Sequence, residues 1–409
     1  MSKNKRNIAY IAPEIPALSA TFVYNEIASM EELGHKVTPL SVHKPQVKAS
    51  DPVSKELEKK MIRIYGRGFL FYLFFNLTAF IRNPYLYLKA LLYMLKDISK
   101  LKISRLSAGI LYRFIVASWV STILRRKKTD HIHIHFAHVP CDIGMYASLL
   151  SGIPFSFTSH ANDIFERGWL LKQKVDRSKF AVTISDHNRK YIERVYSPTK
   201  EIEVLHCGVN TVEFKTKPKN PIGKVLKIGS LGRFVEKKGF DTLVKTALEL
   251  KKNGVEFTME IAGDGPYYKE IYKLISKLKL TTNVFLTGKI SHNKVADFLS
   301  NLDIFILPCK KDSRGDMDGI PVVLMEAMLC GTPVISTNIS GIPELIKNGK
   351  TGICISPDSP NEAAQAILKI SSDNKFRNNI VRNSLKKIKS DFNQMANTKR
   401  LSKLIGGNL

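Results

Sequence analysis

Two carboxylates, Asp318 and Glu326, stand eight residues apart in DMDGIPVVLMEAMLCGTPVIS, residues 316–336. Between them lie Gly319, Pro321 and an apolar run. Pro321 suits the first turn of a helix, where its missing N–H costs nothing. Val322, Val323, Met325, Ala327 and Met328 would form the apolar side of that helix, and Cys330-Gly331-Thr332-Pro333 would stop it before a strand from Val334 to Ser336. Asp318 then falls in the loop entering the helix and Glu326 within it. Unpaired N–H groups at a helix start, next to the small Gly319, form a ready anion site. A carboxylate in the same place must face hydroxyls rather than the anion. Phosphate together with sugar hydroxyls describes a nucleotide sugar.

Two other loops add what this stretch lacks. Gly232-Arg233, followed by Lys237-Lys238-Gly239, sets cations beside a helix opened by glycine. Arg can give a forked contact to a diphosphate and Lys a point charge. Gly263-Asp264-Gly265 makes a tight turn where backbone can approach a ligand. Singly, each is also an ordinary solvated turn. Their recurrence at successive strand ends is what favours a ligand site.

The elements that must position these loops form two alternating β/α series. Strands are expected at 7–12, 37–42, 130–136, 154–158, 180–184 and 202–205, with a helix at 21–33 closed by Gly34. Residues 211–222 have linker character. The alternation restarts with strands at 224–231, 257–261, 283–287 and 303–307 and helices at 239–250, 267–278 and 295–301. The fold class is therefore α/β: two Rossmann-like parallel-sheet domains, expected to face a cleft. The boundaries are 1–210 for the first domain, 223–375 for the second, and 376–409 for a basic helical segment that could pack back on the first. The first turn reads PEIPALSAT rather than GxGxxG, which weakens a dehydrogenase reading.

Residues 55–128 interrupt the first series as a helical insertion. From Met61 to Lys128 there are thirteen Lys and Arg against one acid, Asp97. Asn83-Pro84 reads as an N-cap and first turn. Aromatic side chains sit among the basic ones within apolar runs. Such a segment can pack on the sheet, and it can also bind an anionic membrane surface. A nucleic-acid platform is disfavoured, because the aromatics are not on a polar basic face. The formal charge of +27 over 409 residues likewise asks for an anionic partner. Leu106–Leu124 approaches the length of a membrane span, but Arg113 interrupts it.

Five cysteines with no CxxC pair exclude a disulfide scaffold and a zinc ribbon, and most are expected as buried thiols in a reducing cytoplasm. The N-terminal apolar run of about five residues is too short for a signal peptide. In DHIHIHF, His131, His133 and His135 share one strand face, yet no carboxylate or cysteine at ligand spacing completes a zinc site nearby. The strand's C-terminal end is where an open α/β sheet binds ligands, and SHANDIF puts His160 and Asp163 on a loop at the same edge.

With GRFVEKKG, AGDGP, Asp318…Glu326 and EAMLCGTPVIST in this order and spacing, the sequence resembles the family 4 glycosyltransferases of the GT-B fold. LSATFVYNEI, SFTSHANDIF and DMDGIPVVLMEAM are similar to a narrower group, the transferases of bacterial exopolysaccharide and colanic-acid-type assembly. The resemblance covers residues 7–375 and is weak over 55–128. It implies a retaining hexosyltransferase that needs no metal or other cofactor. An acceptor would bind the first domain and a nucleotide sugar the second. The +27 charge and the apolar, basic insertion point to a lipid-linked saccharide as that acceptor, at the inner face of the plasma membrane.

By the same resemblance, Arg233 and Lys238 match the diphosphate pair, with Gly232, Gly263 and Gly265 beside them. Glu326 matches the glutamate on the ribose hydroxyls. Asp318 replaces a usual Glu that faces the donor sugar. Gly319, Ile320 and Val322 would offer backbone N–H groups, and Gly288 to Ile290 would border the base. His160 matches a histidine that approaches the sugar and phosphate. Ser19, Thr21, Phe22, His135 and Asp163 fall on the acceptor and phosphate side. Asp316-Met317-Asp318 spells a metal-binding DxD but coincides with the first carboxylate of the acidic pair. A non-catalytic nucleotide-sugar-binding protein, or a GT-B epimerase or phosphorylase, remains open at this level.

Overall fold

The computed structural model describes residues 5–17, 20–45, 52–101, 105–211, 214, 216 and 222–407. Two compact units emerge. One comprises the described residues of Met1–Ile184, Asn188–Leu205 and Thr398–Leu409; the other comprises those of Ser185–His187 and His206–Asn397.

The first unit is built on strands β1 (Asn7–Ala12), β2 (Lys36–Ser41), β3 (Ile62–Arg63), β4 (His131–His135), β5 (Phe155–Ser159), β6 (Phe180–Thr183) and β7 (Ile202–Val204). All pair in parallel, in the order β3-β2-β1-β4-β5-β6-β7. The centre of the sheet is covered on both faces, as parallel sheets require. Ile132 and Ile134 of β4 point into a core with Phe114 and Tyr146. Ile8 and Tyr10 of β1 point into another, with Val23 and Ile27 of the helix Thr21–Glu32 and with Leu401, Leu404 and Ile405. Gly34, at φ 88°, closes that helix as expected. Of the segment 376–409, the helix Asn374–Asp391 instead buries Ile380 and Ile388 in the core of the second unit.

The insertion is less uniformly helical than its sequence suggests, because β3 extends the sheet edge beside β2. Three helices follow: Phe69–Arg82, Pro84–Ser99 and Arg105–Arg126. Asn83 caps the second through its side chain, which accepts from the Leu86 N–H at 3.0 Å. The third is the one helix among the described residues long and apolar enough to cross a membrane, yet 56% of its apolar window is buried in the protein. Arg113 within it is paired with Asp142 at 2.9 Å.

Asp97, the single acid of that basic stretch, is fully buried. Both its oxygens accept from Arg177, each at 2.6 Å, and Tyr146 O–H donates to it at 2.8 Å. This forked pair ties the insertion to the rest of the first unit.

The second unit contains β8 (Leu226–Leu231), β9 (Phe257–Ala262), β10 (Val284–Gly288), β11 (Ile304–Leu307), β12 (Val334–Thr337) and β13 (Ile353–Ile355). They are parallel, in the order β10-β9-β8-β11-β12-β13. The edge strands β3 and β13, two and three residues long, are absent from the sequence reading. In both sheets the order reverses beside the first strand: between β1 and β4, and between β8 and β11. The carboxyl ends of strands at such a reversal leave a crevice for ligands. The expected linker is described only at residues 211, 214, 216 and 222, so most of it lies outside the described residues.

Removing Asp97 should leave the half-buried Arg177 without its partner. Asp97→Ala is expected to destabilise the first unit by about 3–5 kcal/mol, and Asp97→Asn by less, in urea unfolding. A loss under about 1 kcal/mol for Asp97→Ala would show that the pair is not what anchors the insertion.

Candidate active site

The loops after β8 and β11 bring the cations and carboxylates of the second unit together. Glu236–Lys238 form a single 3₁₀ turn, and Gly239 follows at φ 67° to open the helix Phe240–Lys252. A Cβ at Gly239 would lie 1.9 Å from the Pro308 carbonyl oxygen, so only glycine lets the two loops close on each other. Lys238 Nζ lies 2.6 Å from Asp318 Oδ2. Lys237 Nζ lies 2.8 Å from Asp316 and 3.4 Å from Asp318. Burial alone would raise the Asp318 carboxyl, but Lys238 and then Lys237 hold it down at about 2. Burial would lower both lysines, and Asp318 outweighs it and raises them. The group is a desolvated pair of ammonium and carboxylate charges, each keeping the other ionised.

Pro321 is not in the first turn but is the N-cap of the helix Val322–Leu329, at φ −63°, ψ 123°. Its extended ψ lets the chain leave the loop before the helix begins. The helix start therefore offers the N–H groups of Val322 and its successors, with Gly319 and Ile320 just ahead. Ile320 is 6% exposed and belongs to the core of the unit. Glu326 is buried one turn into the helix.

Gly232 and Arg233 follow β8, and Arg233 is exposed, with no ion pair or side-chain hydrogen bond among the described residues. Gly263 and Gly265 are needed by the backbone rather than shown open to a ligand. A Cβ at Gly263 would lie 1.9 Å from Gly232 O, and one at Gly265 2.5 Å from Phe234 O. Gly288 ends β10 at φ 73° with open space where a Cβ would go, and its carbonyl accepts from Gly263 N–H at 2.7 Å. Ile290, just beyond, is half-buried.

In the first unit the strand ends at β1, β4 and β5 carry a different chemistry. His135, His160 and Phe22 converge: His135 Nδ1 lies 3.2 Å from His160 Nε2, and the Phe22 ring is 4.7 Å from that of His160. Thr21 opens the helix that carries Phe22 and is half-buried. Ser19 lies outside the described residues. Asp163 is fully buried. Its carboxylate accepts from the N–H groups of Ala137, His160 and Ala161 at 2.6–3.2 Å, locking the loops after β4 and β5 together.

The sequence reading found no carboxylate near the histidines, and the fold supplies one. Glu26 Oε1 lies 3.1 Å from His135 Nε2 and 3.7 Å from His133 Nε2. The one signal for it was the helical spacing that put Glu26 four residues after Phe22. His131 and His133 share Ser156, at 2.7 and 2.9 Å, and His133 Nε2 also meets Thr158 at 3.2 Å. Three cysteines, Cys141, Cys309 and Cys330, are buried; Cys207 and Cys354 are half-buried.

Two family models together match residues 19–387. One, described as glycosyl transferases group 1, matches residues 212–387; the other, glycosyltransferase family 4, matches residues 19–213. The chain belongs to the family 4 glycosyltransferases. Among family 4 relatives, WcaL of Escherichia coli K12 carries a provisional name as a colanic acid biosynthesis glycosyltransferase. It is 32% identical over 270 residues, 64% of each chain. The amylovoran biosynthesis glycosyltransferase AmsK of Erwinia amylovora is 30% identical, over 60% of this chain and 62% of its own. The match thus spans less than two thirds of either relative's length. The crystal structure of Anabaena HepE in complex with UDP and glucose has a TM-score of 0.72 at 15% identity, covering 97% of this chain and 98% of that one. It supports the GT-B fold.

Because the folded Asp318 carboxyl is held below its ordinary value of about 3.9, its stabilising effect is complete above pH 4 and is lost as pH falls toward 2. Wild type should therefore exceed Asp318→Asn in stability at pH 6. In urea unfolding, the difference should vanish as pH approaches 2. A difference that does not change over this range would show that Asp318 is not ionised by its lysines.

Proposed function

We propose that the chain is a retaining, metal-independent glycosyltransferase that moves a hexose from a nucleotide-diphosphate sugar to a lipid-linked saccharide in surface polysaccharide assembly. The observation that carries this reading is the pairing of Lys237 and Lys238 with Asp316 and Asp318 beside the start of the helix Val322–Leu329. A diphosphate arriving there meets ammonium groups already desolvated, a helix N-terminus, and the exposed Arg233. Charge growing on the departing diphosphate is thereby stabilised without an ion. The DxD carboxylates are already matched by two lysines, which supports the same reading. Asp318, released from Lys238 by the phosphate, is available to the sugar hydroxyls, and Glu326 to the ribose.

In this mechanism the acceptor hydroxyl oxygen bonds to the anomeric carbon on the face that the diphosphate leaves. The carbon–oxygen bond to the diphosphate breaks, and the hydroxyl proton passes to a departing phosphate oxygen. His160 stabilises the positive charge that develops on the sugar ring. WcaL and AmsK carry the names of exopolysaccharide enzymes, and HepE binds UDP, which supports the assignment of pathway class and nucleotide.

The insertion supports a peripheral site at the inner membrane face. Most of the exposed large apolar side chains lie on its helices Phe69–Arg82 and Pro84–Ser99, among them Leu70, Phe74, Ile81 and Leu92 at 60–79% exposure. The exposed Arg67, Arg82, Lys89 and Lys96 accompany them. Apolar insertion and attraction to anionic lipid would act together there.

Lys238→Ala and Glu326→Ala are each expected to lower transfer at least about 100-fold with the fold intact. The assay is mass spectrometry of product, using the donor that gives the largest thermal shift in a nucleotide-sugar panel. Retained transfer in either variant, or epimerised donor as the product, would refute the assignment. The protein should also float with anionic liposomes at low salt and detach at high salt. Failure to bind at low salt would refute the membrane site.

A further inference from the structure

We infer that Glu26 and His135 are positioning residues that fix the tautomer of His160; this rests on the role proposed above for His160. The four side chains Tyr10, Glu26, His135 and His160 form one hydrogen-bonded line inside the first unit. Tyr10 O–H donates to Glu26 Oε1 at 2.9 Å. Glu26 Oε1 faces His135 Nε2 at 3.1 Å, and His135 Nδ1 faces His160 Nε2 at 3.2 Å. The strands and helix that hold them are already paired and packed, and both histidines and Tyr10 are at most 5% exposed. Only the Glu26 end of the line meets solvent, with its side chain 16% exposed.

Its direction follows from what each group can donate. Burial, then Glu26, raises the Tyr10 hydroxyl well above its ordinary value, so it remains a donor. Burial would raise Glu26, but His135 and His133 outweigh it, and the carboxyl stays ionised as an acceptor only. A His135 carrying one proton places it on Nε2, toward the carboxylate. Its Nδ1 is then a lone pair, and His160 must donate from Nε2. Burial, followed by His135, His133 and His138, holds His160 well below the usual imidazole range, so it too carries one proton. Nδ1 of His160 is left as the basic nitrogen.

A lone pair at that position can accept from a sugar hydroxyl and can face developing positive charge. An N–H there would oppose both. Which nitrogen carries the proton is set by the hydrogen bond at the other one. The ring is also held in place: Phe22 and Phe136 flank it at 4.7 and 4.4 Å between centroids. Its backbone N–H donates to Asp163, and its carbonyl accepts from Asn188.

Glu26, His133 and His135 also bring three possible ligand atoms within 4.8 Å of one another. Every one of those side chains is already engaged by Tyr10, Ser156, Thr158 or His160, which is the arrangement of a hydrogen-bond line rather than of ligands awaiting an ion.

The test is histidine-selective ¹⁵N NMR on the full chain, together with steady-state kinetics of Glu26→Gln, Glu26→Asp and His160→Ala. In wild type, His160 is expected as the Nε2–H tautomer. Glutamine can present either its oxygen or its N–H to His135, so Glu26→Gln should mix the His160 tautomers. It should lower kcat about 10- to 100-fold, with the donor KM and the melting temperature near those of wild type. Glu26→Asp keeps the charge and should restore the Nε2–H tautomer and part of kcat. Wild-type His160 found as Nδ1–H overturns the inference whether or not the variants fold. So does Glu26→Gln with wild-type kcat and tautomer, or one equivalent of bound metal that Glu26→Gln loses. If His160→Ala itself transfers normally, the role proposed for His160 fails, and the inference with it. If His160→Ala is inactive while Glu26→Gln is normal, only the present inference fails.

Discussion

Lys238 and Asp318 meet at 2.6 Å in a largely desolvated corner of the second unit, and each favours the charged form of the other there. That constraint organises its surroundings. It requires the loops after β8 and β11 to close together, which only Gly239 permits against the Pro308 carbonyl. It draws in Lys237 and Asp316 as a second pair. It also keeps the lysine charged at a place where burial alone would favour losing the proton. In the proposed mechanism Asp318 holds the place of a phosphate until the donor arrives. Part of the affinity for the donor is then spent in separating the pair, and Asp318 becomes available as it is displaced.

The same topological position carries a cluster in each unit. The reversal between β8 and β11 holds full charges, suited to a diphosphate. The reversal between β1 and β4 holds neutral or mutually compensating groups: a tyrosine, a carboxylate and histidines linked nitrogen to nitrogen. Both clusters are paid out of local burial and close hydrogen bonding, and both depend on parallel strands ending at the same edge. The difference in charge is what separates their proposed tasks, leaving-group stabilisation in one and orientation of an imidazole in the other.

Much of this was legible in the residues. The alternation of apolar runs placed eleven of the thirteen strands to within about two residues, because central parallel strands are apolar on both faces. The edge strands β3 and β13 were missed because two or three residues carry no periodicity. Lys238 and Asp318 were both singled out, but for separate ligand contacts; their contact with each other depends on the closure of two loops about eighty residues apart in sequence. Glu26 was not singled out, since nothing local connects it to a strand beginning at His131. Asp97 stood out as the one acid in a basic segment, and the reason, a buried fork with Arg177, is a tertiary one. Asp163 was placed on the acceptor and phosphate side, and what the sequence did not show is that its carboxylate accepts from three backbone N–H groups.

The exchange of partners at Lys238 can be seen directly in a crystal structure of the protein with a bound nucleoside diphosphate. Lys238 Nζ should leave Asp318 and lie within hydrogen-bond distance of a phosphate oxygen, with the diphosphate at the start of the helix Val322–Leu329. A diphosphate bound elsewhere, with Lys238 and Asp318 still 2.6 Å apart, would contradict it.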